Sequence, residues 1–130
     1  MMRPMKLAGS ELMFGAGSLE YIKSIHAQRA SIVVGGSSME KSGMLAKVQE
    51  LFCEAGAQVS VIRGVEPDPS LGTVLRGAGE MLEFQPDLIV GLGGGSAMDA
   101  AKAMWIYYEH PELKTIEEIL PPNDFPQLRT

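Results

Sequence analysis

The sequence contains a single cysteine, Cys53, which excludes an internal disulfide bond and is compatible with a reducing compartment. Cys53 falls on a predicted helix with no histidine or second cysteine near it in sequence, which indicates a packing residue rather than a reactive thiol. Histidine is also scarce, since only His26 and His110 occur. No cluster of histidine, cysteine and carboxylate residues has metal-ligand spacing, so we predict no metal ligand in this sequence.

Positive charge and long apolar runs are scarce as well. Eleven lysines and arginines stand against 16 aspartates and glutamates, and they are scattered along the chain. Because a nucleic-acid-binding surface needs clustered basic residues, we do not expect one. No apolar run approaches the ~20 residues that a membrane helix needs, and the first residues lack the apolar core of a secretory signal. We therefore expect a cytoplasmic protein that binds neither nucleic acid nor membranes.

Glycine, by contrast, is abundant, and three glycines are consecutive at 93–95. They follow a short run of branched apolar residues and precede an alanine-rich amphipathic segment, a pattern typical of a strand, a tight loop and a helix. The missing Cβ atoms let backbone N–H groups approach a ligand, and a helix N-terminus favours an anion. Ser96 is predicted to cap this helix. The stretch predicts a phosphate-binding turn; a glycine-rich connection that binds nothing is the alternative.

Two common phosphate motifs do not describe this loop. Ser96 occupies the third glycine position of the dinucleotide fingerprint, and the region of Pro111 replaces the expected acidic residue. The Gly-Lys-Ser/Thr of a P-loop is also missing. Ser96 is not a predicted nucleophile, because no glycine stands two places after it, as a nucleophile elbow requires. No catalytic residue is predicted.

Strand and helix patterns alternate along the rest of the chain. Short strands are predicted at 11–14, 30–34, 58–63 and 87–92, each followed by a helical pattern. This order predicts an α/β fold, Rossmann-like, with a mostly parallel sheet covered by helices on both faces. The α/β domain is expected over residues 1–120, including a short helical turn at 115–120. Residues 121–130, which contain three prolines, are predicted to be a linker or the start of the remainder of a longer chain.

The local signals also set the expected helix boundaries. Ser18 and Ser70 are predicted N-caps, and one amphipathic helix is expected over 44–55, ended by Gly56. Pro86 is expected to stop the helix that Ser70 begins. The carboxyl ends of parallel strands meet at one edge of a sheet, so the loops after the predicted strands should gather there.

The segment 93–103 (GGGSAMDAAKA) closely resembles the cofactor-loop motif of the iron-containing, group III alcohol dehydrogenases. That family usually has proline where this chain has Ala97. Further matches occur in the same order and spacing at 14–18, 64–70 and 109–112, so the resemblance covers nearly the whole chain. It implies the NAD(P)-binding domain of a metal-dependent enzyme that transfers hydride between NAD(P)H and an alcohol or aldehyde. It also implies a homodimer.

The resemblance implies cofactor-binding residues by position. They are Gly94, Gly95 and Ser96 for the pyrophosphate, Asp99 in the first helical turn for ordering the loop or binding the ribose side, and Pro67 and Asp68 for the adenosine half.

The resemblance implies that the choice between NAD and NADP depends on the loop after the second predicted strand, which is the strand at 30–34. NAD-preferring members place an aspartate there for the ribose 2′-OH, and the corresponding position here is Gly36. The loss of a carboxylate removes repulsion of a 2′-phosphate, and Ser37 and Ser38 offer hydroxyl and backbone donors. NADP is therefore predicted over NAD. Lys41 is either an additional positive charge here or an ordinary solvated lysine.

The family's metal ligands, an aspartate and three histidines, lie in a carboxyl-terminal helical domain that this sequence does not contain. We therefore expect the amino-terminal part of a longer enzyme that uses iron or zinc, and an isolated chain without activity. Three alternatives stay open: a non-catalytic nucleotide-binding or interaction domain, a fragment of a glycerol dehydrogenase-like enzyme, and a flavodoxin-like or response-regulator-like domain. The match at 96–102 disfavours the second, and strands that end in glycine rather than aspartate disfavour the third. The substrate is not determined by this sequence.

Overall fold

The structure is an alternation of strands and helices. The computed structural model describes residues 3–5, 12–14 and 17–113. In chain order its elements are β1 (Arg3–Met5), β2 (Leu12–Phe14), a 3-10 helix (Ser18–Ser24), β3 (Arg29–Gly35), α1 (Ser38–Lys41), α2 (Met44–Glu54), β4 (Gln58–Val65), α3 (Leu71–Phe84), β5 (Leu88–Leu92) and α4 (Gly95–Glu109).

The central sheet is parallel, and β3 is its middle strand. The strand order is β4-β3-β5, with Ile32 in register with Val61 on one side and Val90 on the other. A strand covered on both faces needs no polar alternation, which explains the apolar run at 30–34 in β3. β1 and β2 form a separate antiparallel pair. The predicted α/β fold with a mostly parallel sheet is confirmed.

Two apolar clusters lie on opposite faces of the sheet. Alternate residues of β3 point to opposite faces, so Val33 packs with α3 and α4 and Ile32 packs with α2. The first cluster is centred on Met81, Met104 and Tyr107, all of which are almost completely buried. Helices therefore cover both faces, as predicted. In the part of the chain that the structure describes, every helix falls short of the length and apolarity needed to cross a membrane.

Several local predictions are confirmed and others are wrong. Ser70 caps α3 by accepting a hydrogen bond from the Thr73 N–H at 3.2 Å, as predicted. Ser18 does not cap its helix: the element is a 3-10 helix, with Gly17 at the N-cap in left-handed conformation. The helix expected over 44–55 is confirmed as α2, and Gly43, with a φ of 81°, separates it from the short helix α1.

The packing role predicted for Cys53 is wrong. Its side chain is exposed, whereas the buried residues of α2 are Leu45, Val48, Leu51 and Phe52. Each helical residue is rotated by about 100° from the one before it. Cys53 therefore lies beyond the apolar stripe that ends at Phe52. The helical turn predicted at 115–120 and the linker predicted at 121–130 fall outside the described residues.

Asp87 joins the start of β5 to the start of β3 at the amino-terminal edge of the sheet. Its carboxylate accepts hydrogen bonds from the N–H groups of Arg29 at 2.9 Å and Gln28 at 3.0 Å. The Arg29 side chain in turn donates to the Phe84 carbonyl at 2.6 Å and stacks on the Phe84 ring, 4.4 Å from its centroid. The N–H groups of Arg29 and Gln28 lower the pKa of Asp87 below its ordinary value.

The replacement Asp87→Asn is expected to destabilise the fold at neutral pH by about 1 kcal/mol, a modest value because the carboxylate is exposed to solvent. A carboxyl whose pKa is lowered by folding contributes stability above its unfolded pKa and loses it as pH falls through its folded pKa. The difference between the two proteins in urea-induced unfolding should therefore be largest near neutral pH and disappear in acid.

The exposed α2 residue Glu50 provides the control, and Glu50→Gln should leave the unfolding free energy nearly unchanged. An Asp87→Asn difference that persists unchanged at a pH below the lowered pKa of Asp87 in the folded protein, where the carboxyl is neutral, would contradict the proposed origin of the stabilisation.

Gly77 lets α3 and α4 approach closely. A Cβ placed on Gly77 would overlap the thioether of Met104, which is completely buried in the core. Gly79, two residues later in the same helix, is exposed, and a Cβ there would meet no atom within 4 Å. A comparison of substitutions at Gly77 and Gly79 therefore distinguishes the effect of close helix packing from the general effect of glycine on helix stability.

The substitution Gly77→Ala is expected to lower the unfolding free energy by about 1–3 kcal/mol, because Met104 must move within a filled core. Gly79→Ala, the matched control, should raise it by about 0.5–1 kcal/mol, since alanine favours the helix. Denaturant unfolding of both variants measures the difference. Equal stabilisation by the two substitutions would show that Met104 moves aside freely.

Candidate functional site

Three loops meet in a groove at the carboxyl-terminal edge of the parallel sheet. The groove has a volume of about 480 Å³. It is lined by residues at the end of β3 and just after it (Gly35, Gly36, Ser38), at the end of β4 and just after it (Gly64, Val65, Glu66, Pro67), and after β5 (residues 93–97). The convergence of these loops, expected from the parallel order of the strands, is therefore confirmed. The groove is the point where the sequence's glycine-rich turns lie side by side.

The glycine loop after β5 presents backbone to this groove. Gly93 has a φ of 130°, and Gly94 is an extended N-cap residue. α4 begins at Gly95, and its first intrahelical hydrogen bond runs from the Met98 N–H to the Gly94 carbonyl. The N–H groups at the start of a helix have no partner within it, so they are available to an anion.

The cap predicted for Ser96 is wrong. Gly94 is the N-cap of α4, and no side chain makes the capping hydrogen bond. Ser96 instead lies inside the first turn and lines the groove. The first N–H groups of α4 therefore have no acceptor within the helix. An anion bound in the groove would accept hydrogen bonds from them.

Two glycines of the loop keep the groove open. A Cβ on Gly94 or Gly95 would meet no protein atom within 4 Å and would project into open space. Neither residue has a positive φ, so alanine is conformationally acceptable at both positions. Packing and backbone strain therefore do not require glycine there. The space left by the missing side chains is of the kind that a phosphate group could occupy against the backbone.

Glu66 fixes the loop that follows β4. Its carboxylate accepts hydrogen bonds from the Ser70 N–H at 2.8 Å and from the Thr73 hydroxyl at 2.7 Å. These two donors, the Ser70 N–H first, lower the pKa of Glu66 below its ordinary value. The loop contains Asp68 at a φ of 51°, an unfavourable conformation for this residue. Glu66 therefore joins the groove wall to the first turn of α3 and helps to hold a strained loop.

The structure brings most of the predicted cofactor-binding residues together. Gly36, Ser38, Pro67, Gly94, Gly95 and Ser96 all line the groove. Ser37, Asp68 and Asp99 do not.

Asp99 lies in the second turn of α4 instead of the first. It lines a different cavity, between α3 and α4, with Leu71, Val74 and Tyr107. Glu66, which sequence reasoning missed, does line the groove. The only hint in the sequence is that Glu66 stands four residues before Ser70, the N-cap of α3. Whether the two residues make contact depends on how the proline-bounded loop folds back, which their spacing alone does not determine.

A metal centre does not fit the part of the chain that the structure describes. Residues 3–5, 12–14 and 17–113 contain no group of three histidine, cysteine, aspartate or glutamate side chains that could hold a metal ion. His110 instead contacts the Glu112 carboxylate at 3.1 Å.

A parallel sheet between two helical layers, with a glycine loop opening a helix at its carboxyl edge, defines a Rossmann-like α/β domain. The sequence matches the family model described as iron-containing alcohol dehydrogenase over residues 9–129. The chain belongs to the iron-containing alcohol dehydrogenase family, which confirms the resemblance found in its motifs.

Individual relatives agree with this assignment. The chain is 50% identical over 119 residues to an NADPH-dependent butanol dehydrogenase of Clostridium saccharobutylicum, covering 92% of this chain and 30% of the relative. It is 39% identical over 128 residues to an alcohol dehydrogenase of Thermococcus barophilus, covering 93% and 34%. The crystal structure of an iron-containing alcohol dehydrogenase from Thermococcus thioreducens superimposes with a TM-score of 0.75 at 32% identity, covering 88% of this chain and 31% of that one. The chain thus spans about a third of the length of these relatives.

The substitution Glu66→Gln is expected to loosen the loop at the groove wall, because a neutral amide accepts weaker hydrogen bonds than a carboxylate. Hydrogen exchange at the Ser70 and Thr73 amides should accelerate, while exchange in β3 should not change. The lowered pKa of Glu66 means that protection in the original protein should persist until pH falls below the usual glutamate pKa.

The control for this variant is Glu80→Gln in α3, which removes an exposed carboxylate that pairs with Arg76. It should leave exchange at Ser70 and Thr73 as it is. Unchanged exchange in the Glu66→Gln protein would show that the loop holds its shape without the carboxylate.

Proposed function

We propose that this chain is the nucleotide-binding part of an NADP-dependent alcohol dehydrogenase or aldehyde reductase. The reaction is hydride transfer between NADPH and an alcohol or aldehyde, with the metal and the substrate held by parts of a longer polypeptide. The observation that carries the proposal is the open backbone cradle at Gly94 and Gly95, where neither packing nor φ requires glycine. Family membership supports the same assignment.

The pyrophosphate of the cofactor is assigned to the glycine loop. Gly94, Gly95 and Ser96 line the groove at the start of α4, a helix of 15 residues whose dipole favours an anion at this end. Neutral N–H groups approach a phosphate most closely where no Cβ intervenes. Asp99, which lies outside the groove lining in the second turn of the same helix, is assigned only the supporting role of ordering the loop.

The adenosine half is assigned to the other two loops. Pro67 and Asp68 border it, and the loop at 36–38 receives the 2′-phosphate. Gly36 has a φ of 59° and an open environment. Because this residue is a glycine, no carboxylate at the position repels a phosphate. Ser38, which lines the groove, offers a hydroxyl donor, and the neighbouring Ser37 offers a second one from the same loop. The name of the NADPH-dependent relative from Clostridium saccharobutylicum supports NADP over NAD.

The metal of the proposed enzyme, iron or zinc, would polarise the substrate oxygen as a Lewis acid. Because the described residues offer no ligand set, we propose that the isolated chain has no turnover and acts only by binding and orienting the nucleotide. A homodimer and a cytoplasmic location, both expected from the sequence, remain part of the proposal. The non-catalytic nucleotide-binding domain is the second candidate.

The binding site is tested with Gly95→Ala. The added methyl group occupies the cradle and separates a phosphate from the backbone N–H groups, so NADPH affinity should fall at least about tenfold. Fluorescence titration of the chain with NADPH measures this change. The unfolding free energy should not decrease, because alanine is acceptable in the first turn of a helix.

Gly79→Ala is the matched control, since it adds the same methyl group to an open helix position that is not part of the groove lining. It should leave NADPH affinity unchanged. Saturable NADPH binding that is equally strong in the Gly95→Ala protein would reject the assignment of the pyrophosphate to this loop. Oxidation of alcohols by a polypeptide that also carries a metal domain would distinguish the enzyme from the non-catalytic candidate.

A further inference from the structure

Arg63 lies beside the groove at the end of β4. The next two residues, Gly64 and Val65, line the groove, but the Arg63 side chain is directed towards α1. Its Nε donates to Glu40 Oε1 at 2.5 Å. Glu40 follows the groove-lining Ser38 by two residues in the chain. The ion pair therefore connects the two loops to which the adenosine half of the nucleotide is assigned.

The backbone of Arg63 is held independently of its side chain. Arg76 of α3 donates a hydrogen bond from Nη2 to the Arg63 carbonyl at 2.7 Å, and its Nη1 pairs with Glu80 at 2.9 Å. Because α3 and α1 lie on opposite faces of the sheet, Arg63 is supported from both sides. The guanidinium can consequently exchange its partner while the strand that carries it stays in place.

The ion pair itself is open to such an exchange. The Arg63 side chain is 58% exposed and that of Glu40 is 41% exposed. Exposed pairs contribute little to stability, so separating this one is inexpensive. A phosphate monoester carries more negative charge than a carboxylate and binds the guanidinium fork in a bidentate manner. A phosphate near residues 36–38 would therefore compete successfully for Arg63.

We infer that Arg63 is a specificity-determining residue for the 2′-phosphate of NADP, and that Glu40 holds it in place when no nucleotide is bound. The inference rests on the proposed function. It adds a cation from β4 to a subsite otherwise formed by neutral groups of Gly36, Ser37 and Ser38. Arg76 is less suited to this role, because the Arg63 carbonyl and the Glu80 carboxylate already engage both of its terminal nitrogens.

The test compares NADPH with NADH, which differ in the 2′-phosphate alone, in fluorescence titrations of the chain. Arg63→Ala should weaken NADPH binding about tenfold, which corresponds to about 1.4 kcal/mol, and leave NADH binding within about twofold, because NADH has no group for the guanidinium to bind. Arg63→Lys should retain part of the preference, since it keeps the charge but not the bidentate geometry. Glu40→Gln should strengthen NADPH binding and not NADH binding, because the competing carboxylate is gone.

The exposed Lys23–Glu54 pair supplies matched controls, since it joins the 3-10 helix to α2 outside the groove lining. Lys23→Ala and Glu54→Gln change the net charge as Arg63→Ala and Glu40→Gln do, and should leave the ratio of the two affinities unaltered. Lys41→Ala is included because Lys41 is the cation of α1, one residue after Glu40.

The outcomes separate the inference from the proposed function. Binding of neither nucleotide by the original chain would reject the proposed function of this chain, and the inference with it. NADPH binding that Arg63→Ala weakens no more than NADH binding would reject the inference alone, as would a preference abolished by Lys41→Ala and retained by Arg63→Ala. A preference for NADPH lost with Arg63 and partly restored by Arg63→Lys supports both.

Discussion

The pairing of β3 along both of its edges is the constraint on which the rest of the structure depends. Residues 30–34 are completely buried, and β4 and β5 both run parallel to them. Buried backbone groups must find hydrogen-bond partners, and the two neighbouring strands supply them. Because the three strands are parallel, all of them end at the same edge of the sheet. The groove lies at this edge because the three loops that follow the strands begin there.

The two edges of this sheet serve different purposes. At the amino-terminal edge, Asp87 and Arg29 tie strand to strand with hydrogen bonds and a ring contact. At the carboxyl-terminal edge, the loop after β5 leaves backbone N–H groups without an internal acceptor and leaves space where side chains would stand. Strands fixed at one edge form the rigid scaffold that positions the binding loops at the other edge.

The sequence predicts those elements whose signals are local and repeated. The apolar run of β3, the periodic faces of α3 and α4, and the Ser70 cap each depend on neighbouring residues, and each is found as expected. β1 is not predicted because three residues are too few to show an alternating pattern of apolar and polar side chains. Its pairing with β2 depends on residues outside the strand itself. Ser96 fails as a cap because Gly94 already adopts the extended conformation that a cap requires. Within the candidate site, the glycine loop can be predicted from the sequence. The contacts of Glu66 and Arg63 cannot, because they depend on tertiary folding.

The electrostatics of the groove follow from this arrangement. The chain carries a formal net charge of −5, and the glycine loop itself contains no lysine or arginine. In the proposed binding mode the pyrophosphate is therefore held by neutral N–H groups and a helix dipole, whose fields fall off over a short distance. Such groups favour a closely docked phosphate without attracting polyanions from afar. The single guanidinium of Arg63, released from Glu40 only when the 2′-phosphate is present, would then add discrimination between NADPH and NADH without making the whole surface basic.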